Sequence, residues 1–180
     1  MVYGDSLSAG YGLPAGKGWV NLLAGRLKEE RFDYKVANAS LSGETTLGGR
    51  NRIAASLKLH QPEIVILALG ANDGLRGGSL GTMRSNLEAI VDASRESGAR
   101  VVLVGMRLPP NYGSDYTEKF QRVFREVAAS RKVTLVPFLF DGFADNRAYF
   151  QPDSVHPNVD AQPIMLETVW KGLRPLLKKR

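Results

Sequence analysis

The run Ile64-Val65-Ile66-Leu67-Ala68-Leu69 limits the fold more than any other stretch of this chain. It is continuously apolar rather than alternating, so both faces of the strand must be covered, as in the interior of a parallel sheet. Pro62 stops the preceding helical pattern and Gly70 ends the run. Val101-Val102-Leu103-Val104 repeats the signal. Parallel strands cannot be joined by hairpins and need crossover helices. Helical spacing supplies them at Trp19 to Glu30, Leu47 to Leu59, Leu80 to Ser97, Tyr116 to Ser130 and Gln162 to Leu177. Shorter strands are predicted at Val2-Tyr3, Tyr34 to Ala39 and Val133 to Val136. The expectation is a single α/β domain over residues 1–180. It is a flavodoxin-like α/β/α sandwich around a central parallel sheet of about five strands.

Right-handed crossovers place the C-terminal ends of all these strands on one edge. The loops that begin near Asp5, Ala39, Gly70, Gly105 and Pro137 therefore share a rim, the usual position of a site in such a fold. Composition adds exclusions. The chain has no cysteine, which removes disulfides, thiolate metal sites and a cysteine nucleophile. No apolar run approaches the roughly 20 residues of a membrane span. The net charge of +6 is spread among 18 acidic residues, and no nucleic-acid-binding motif accompanies it. Lys178-Lys179-Arg180 forms a basic end.

On that rim, Gly4-Asp5-Ser6 ends the first apolar run and leaves a hydroxyl exposed at a strand-to-helix turn. A serine nucleophile needs a base. His60 precedes Gln61-Pro62 at the end of a helix, on the opposite edge, and reads as a helix-end histidine. His156, in Asp153-Ser154-Val155-His156-Pro157, can reach the rim. Pro157 disfavours helical backbone before it. Asp153, three residues earlier, can hold one imidazole nitrogen and leave the other facing Ser6. The same residues also fit a plain polar turn with Asp153 as a local cap. Gly43 and Asn72 are candidate donors to an oxyanion, and equally a turn glycine and a strand-end asparagine.

Taken together, Gly4-Asp5-Ser6-Leu7-Ser8, Gly43, Gly70-Ala71-Asn72-Asp73 and Asp153-x-x-His156-Pro157 resemble the four blocks of the SGNH, or GDSL, hydrolase family, in family order. Gly74-Leu75-Arg76-Gly77, Arg107-Leu108-Pro109-Pro110-Asn111-Tyr112-Gly113 and Asp160-Ala161-Gln162-Pro163 are similar to its bacterial thioesterase, arylesterase and lysophospholipase branch. The resemblance implies a triad of Ser6, Asp153 and His156. It implies an oxyanion hole from the Ser6 and Gly43 amides and the Asn72 side chain. It implies a substrate-binding loop with Arg107, Leu108, Pro109 and Tyr112. No metal and no organic cofactor are implied. The expected enzyme is a monomeric serine hydrolase of small acyl esters, aryl esters, thioesters or lysophospholipids, periplasmic or secreted by resemblance, with a cytoplasmic location left open. Ser154 stands where the family commonly has glycine. Only Met1, Val2 and Tyr3 precede Gly4, so residues before Met1 in a longer protein are expected to extend the first strand.

Rival readings are weaker on physical grounds. Gly77-Gly78-Ser79-Leu80-Gly81 matches a nucleophile elbow, but a Gly-rich loop precedes it instead of a strand, so Ser79 reads as a helix N-cap. Gly10-Tyr11-Gly12-Leu13-Pro14-Ala15 matches a loose dinucleotide fingerprint that does not directly follow a strand and is broken by Pro14. A carbohydrate O-acetyl esterase using the same residues is the alternative within the family. A flavodoxin-like binding module without catalysis is the alternative outside it.

Overall fold

The computed structural model describes residues 1–179; Arg180, the last residue of the basic end, lies outside the described residues. Four parallel strands form the sheet in the order β1-β2-β3-β4: β1 Val2–Gly4, β2 Ile64–Ala68, β3 Arg100–Val104 and β4 Thr134–Val136. Tyr3 pairs with Leu67, Leu67 with Leu103, and Leu103 with Leu135, so the strands are in step across the sheet. Every residue of β2 is buried, as the unbroken apolar run requires. Fully burying one such aliphatic side chain contributes about 1.5–3 kcal/mol.

The predicted fifth strand is not a regular strand. Tyr34 to Ala39 contributes one isolated bridge, Val2 to Asn38. It still continues the sheet beyond β1: the Val2 amide donates to Ala37 O at 2.8 Å, the Ala39 amide to Val2 O at 2.9 Å, and the Leu41 amide to Gly4 O at 3.0 Å. Asn38 also turns its amide to Ser8 O at 2.8 Å and its carbonyl to the Ser40 amide at 3.2 Å. These local bonds draw the strip toward the active rim.

The helices lie on both faces. α2 (Trp19–Glu29) packs on α7 (Gln162–Leu173). On the other side α5 (Leu80–Glu96) packs between α3 (Thr46–His60) and α6 (Ser114–Arg131). The inward residues expected from periodicity, among them Leu87, Ile90, Val91, Phe120, Val123, Phe124 and Val127, are buried. α7 ends at Leu173, four residues earlier than the helical pattern suggests, because Pro175 follows in a 3-10 turn over Arg174–Leu176.

Two short helices complete the rim, α1 (Ser6–Ala9) after β1 and α4 (Ala71–Leu75) after β2. The three-residue β1 is held from inside the core. Tyr3 is fully buried, its hydroxyl donates to Gly49 O at 2.7 Å, and the Arg52 guanidinium lies 4.1 Å from its ring centre.

Candidate active site

Ser6 is the first residue of α1, placed there by a turn that Asp5 caps: Asp5 Oδ1 accepts from the Leu7 amide at 3.0 Å. His156 approaches from the loop before α7. Its Nε2 stands 2.9 Å from Ser6 Oγ, and its Nδ1 is 2.7 Å from Asp153 Oδ2. The other Asp153 oxygen accepts from the Val155 amide at 2.9 Å and the His156 amide at 3.0 Å. The carboxylate therefore both closes the turn and orients the ring. Desolvation pushes the Asp153 carboxyl up, but the two amides and the imidazole outweigh it and hold the group at about 2. A carboxylate beside Nδ1 favours the tautomer with its proton there, which presents Nε2 to Ser6 as the acceptor.

The sequence-derived oxyanion candidates lie on neighbouring elements. Asn72 is in the first turn of α4 and lines the cavity beside Ser6; its Nδ2 donates one hydrogen to Glu44 O at 2.9 Å, leaving the second available. Gly43 sits in the preceding loop with φ +79, a conformation that favours glycine. Its carbonyl accepts from Arg76 at 3.2 Å. Among the described residues, neither the Gly43 amide nor the Ser6 amide donates to a protein acceptor. Gly43 itself does not line the cavity. The N-terminus of α3, just after the Gly43 loop, is clasped to α4 by Asp73, which accepts from the Thr46 amide at 2.9 Å and the Thr46 hydroxyl at 2.5 Å.

A cavity of about 780 Å³ opens from Ser6 and His156. Of the expected substrate loop, Arg107, Leu108 and Pro109 line it, with the Arg107 guanidinium 4.5 Å from the Phe138 ring centre. Tyr112 does not. Its hydroxyl donates to Leu75 O at 2.9 Å, so it anchors the loop to α4 instead of forming the wall.

The geometry agrees with what known proteins show. A model of the GDSL-like lipase/acylhydrolase family matches residues 2–162. The chain belongs to this family. It is 47% identical to esterase TesA of Pseudomonas aeruginosa, over 98% of this chain and 88% of that protein. It is 40% identical to an arylesterase of Vibrio mimicus, over 96% and 86%. It is 38% identical to thioesterase 1/protease 1/lysophospholipase L1 of Escherichia coli, over 98% and 84%. The crystal structure of TesA superimposes with a TM-score of 0.96, covering 98% of both chains. The protein is a GDSL-type carboxylic ester hydrolase.

One feature of this GDSL hydrolase's cavity was missed from sequence. Phe138, Phe140, Phe143 and Phe150 form much of the wall, in mutual ring contacts of 5.2–5.9 Å. The signal available was Pro137-Phe138-Leu139-Phe140-Asp141-Gly142-Phe143, aromatic residues clustered just past a strand end. The segment has neither helical nor strand period, so pattern reading passes over it. The decoys fall where expected. Ser79 N-caps α5, its hydroxyl oxygen accepting from the Thr82 amide at 3.3 Å. His60 ends α3 beside Pro62 and Met1, on the edge opposite Ser6. Among the described residues no group of three or more His, Cys, Asp or Glu is placed to hold a metal ion, and no helix is long and apolar enough to cross a membrane.

Proposed function

We propose that the protein hydrolyses small acyl esters, aryl esters and thioesters through an acyl-enzyme on Ser6. The observation that carries this reading is the relay Asp153 Oδ2 to His156 Nδ1 at 2.7 Å and His156 Nε2 to Ser6 Oγ at 2.9 Å, opening into a cavity with an aromatic wall. Ser6 Oγ attacks the acyl carbonyl while His156 Nε2 takes its proton. The carbonyl π electrons move to oxygen, and the oxyanion is held by the Ser6 and Gly43 amides and the Asn72 side chain. The carbonyl re-forms, the bond to the leaving alcohol or thiol breaks, and His156 returns the proton to it. Water then repeats the sequence, giving the free acid and restoring Ser6.

The phenylalanine wall suits an acyl chain, which favours this reading over removal of an acetyl group from a carbohydrate. The aryl and thioester substrates are inferred from the named activities of the relatives. The expected working form is a monomer in the periplasm or outside the cell.

A panel of p-nitrophenyl esters of rising chain length tests the reading. The wild type should hydrolyse medium acyl chains well. Ser6→Ala should lose nearly all turnover while Ser79→Ala keeps it. Undiminished hydrolysis by Ser6→Ala overturns the assignment, and a preference for acetylated sugars moves it to the carbohydrate alternative.

A further inference from the structure

Tyr11 has no part in the chemistry above, yet its ring lies against the imidazole of His156, with centroids 4.6 Å apart and planes inclined by 41°. It is 53% exposed and does not line the cavity. For the ring to lie there, its loop must be held beside the His156 loop. Gln151 holds it. Its Nε2 donates to Tyr11 O at 2.9 Å and to Pro157 O at 3.1 Å, and its backbone amide donates to His156 O at 2.7 Å. One residue thus ties the loop after α1 to the backbone on both sides of the His156–Pro157 bond. The fit is close: a Cβ on Gly12 would stand 2.1 Å from Gln151 Oε1, at a φ of +70 that already favours glycine.

The imidazole needs such support. Its two ring nitrogens face Asp153 and Ser6, but rotation about the Cβ–Cγ bond can still swing the ring out of line with both. Contact with the Tyr11 ring restrains that rotation. We propose that Tyr11, gripped by Gln151, is a positioning residue that holds His156 in the orientation shared by Ser6 and Asp153. The inference rests on the triad reading above. Because Tyr11 lies outside the cavity, it acts on turnover and not on substrate affinity. The contact belongs to the ring, so the hydroxyl is dispensable.

The experiment measures kcat and KM for a p-nitrophenyl ester, together with the rate of Ser6 labelling by a fluorophosphonate. Tyr11→Ala should lower kcat and the labelling rate by up to about tenfold, the range of an aromatic contact, with KM little changed. Tyr11→Phe should restore both. Gln151→Ala should give a similar loss, and the double variant should lose little more than either single one, because the two act as one device. Thermal unfolding checks that each variant is folded. A raised KM with kcat intact makes Tyr11 a substrate contact and overturns the proposal. Loss in Tyr11→Phe equal to that in Tyr11→Ala does the same, as does simple additivity with Gln151→Ala. His156→Ala separates the two claims: full activity in that variant refutes the triad, whereas loss there with no effect at Tyr11 refutes only the positioning role.

Discussion

Asp5 caps α1 with one carboxylate oxygen and leaves the other, Oδ2, buried without a hydrogen-bond partner among the described residues. Burial pushes its carboxyl up to about 7; the Leu7 amide opposes the shift, and the charges of Asp73 and Glu44 add to it. The unfolded chain ionises near the usual value of about 3.9, so the folded state favours the protonated acid. The stability this group contributes is full below about pH 4 and is lost as pH rises through about 7. Asp5→Asn keeps the cap and removes the titration. In denaturation at pH 4, 6 and 8 the variant should match wild type at the lowest pH and exceed it by at least about 1 kcal/mol at the highest, since one pKa unit is worth about 1.4 kcal/mol. A wild type that gains on the variant with rising pH contradicts this. At the neighbouring donor, Asn72→Ala should cut kcat by about 100-fold or more with modest change in KM. If KM alone changes, Asn72 is a pocket residue and not an oxyanion donor.

At the scale of elements, the rim divides into rigid and irregular parts. α1 and α4 are short helices set directly on strand ends, and they carry Ser6 and Asn72. The phenylalanine wall and the His156 loop come from the stretch between β4 and α7, which has only short 3-10 turns. Substrate range should therefore be adjustable in the second part without moving the first. Phe143 is 2% exposed and touches Phe140, Tyr149 and Phe150. Phe143→Leu should enlarge the cavity and shift the preferred p-nitrophenyl ester to longer chains. A uniform fall across chain lengths would show that Phe143 only supports the fold.

For the whole molecule, the sheet is the frame on which the rim is registered. Leu67 is fully buried in β2, paired with Tyr3 on one side and Leu103 on the other. Leu67→Ala should cost about 2–5 kcal/mol of unfolding free energy. KM at temperatures well below unfolding should stay near wild type; a large rise would mean that the cavity distorts with the core. The proposed catalytic residues were legible because each is tied to its own local sequence. Gly-Asp-Ser at a strand end, Asn72 after the strongest apolar run and Asp153 three residues before His156 all depend on short-range geometry. The buried helix faces were legible for the same reason, since a 3.6-residue period states which side must be covered. Other features depend on partners far away in the chain. The strip at Tyr34 to Ala39 meets β1 through one isolated bridge and three backbone hydrogen bonds, an outcome its own alternation does not state. Tyr112 was drawn out of the cavity by the Leu75 carbonyl. Tyr11 met His156 through Gln151, 140 residues distant in sequence. Local patterns determined which elements and reactive groups this chain has. Tertiary structure decided which aromatic rings surround them, because that outcome depends on volumes and hydrogen-bond acceptors brought together only by folding.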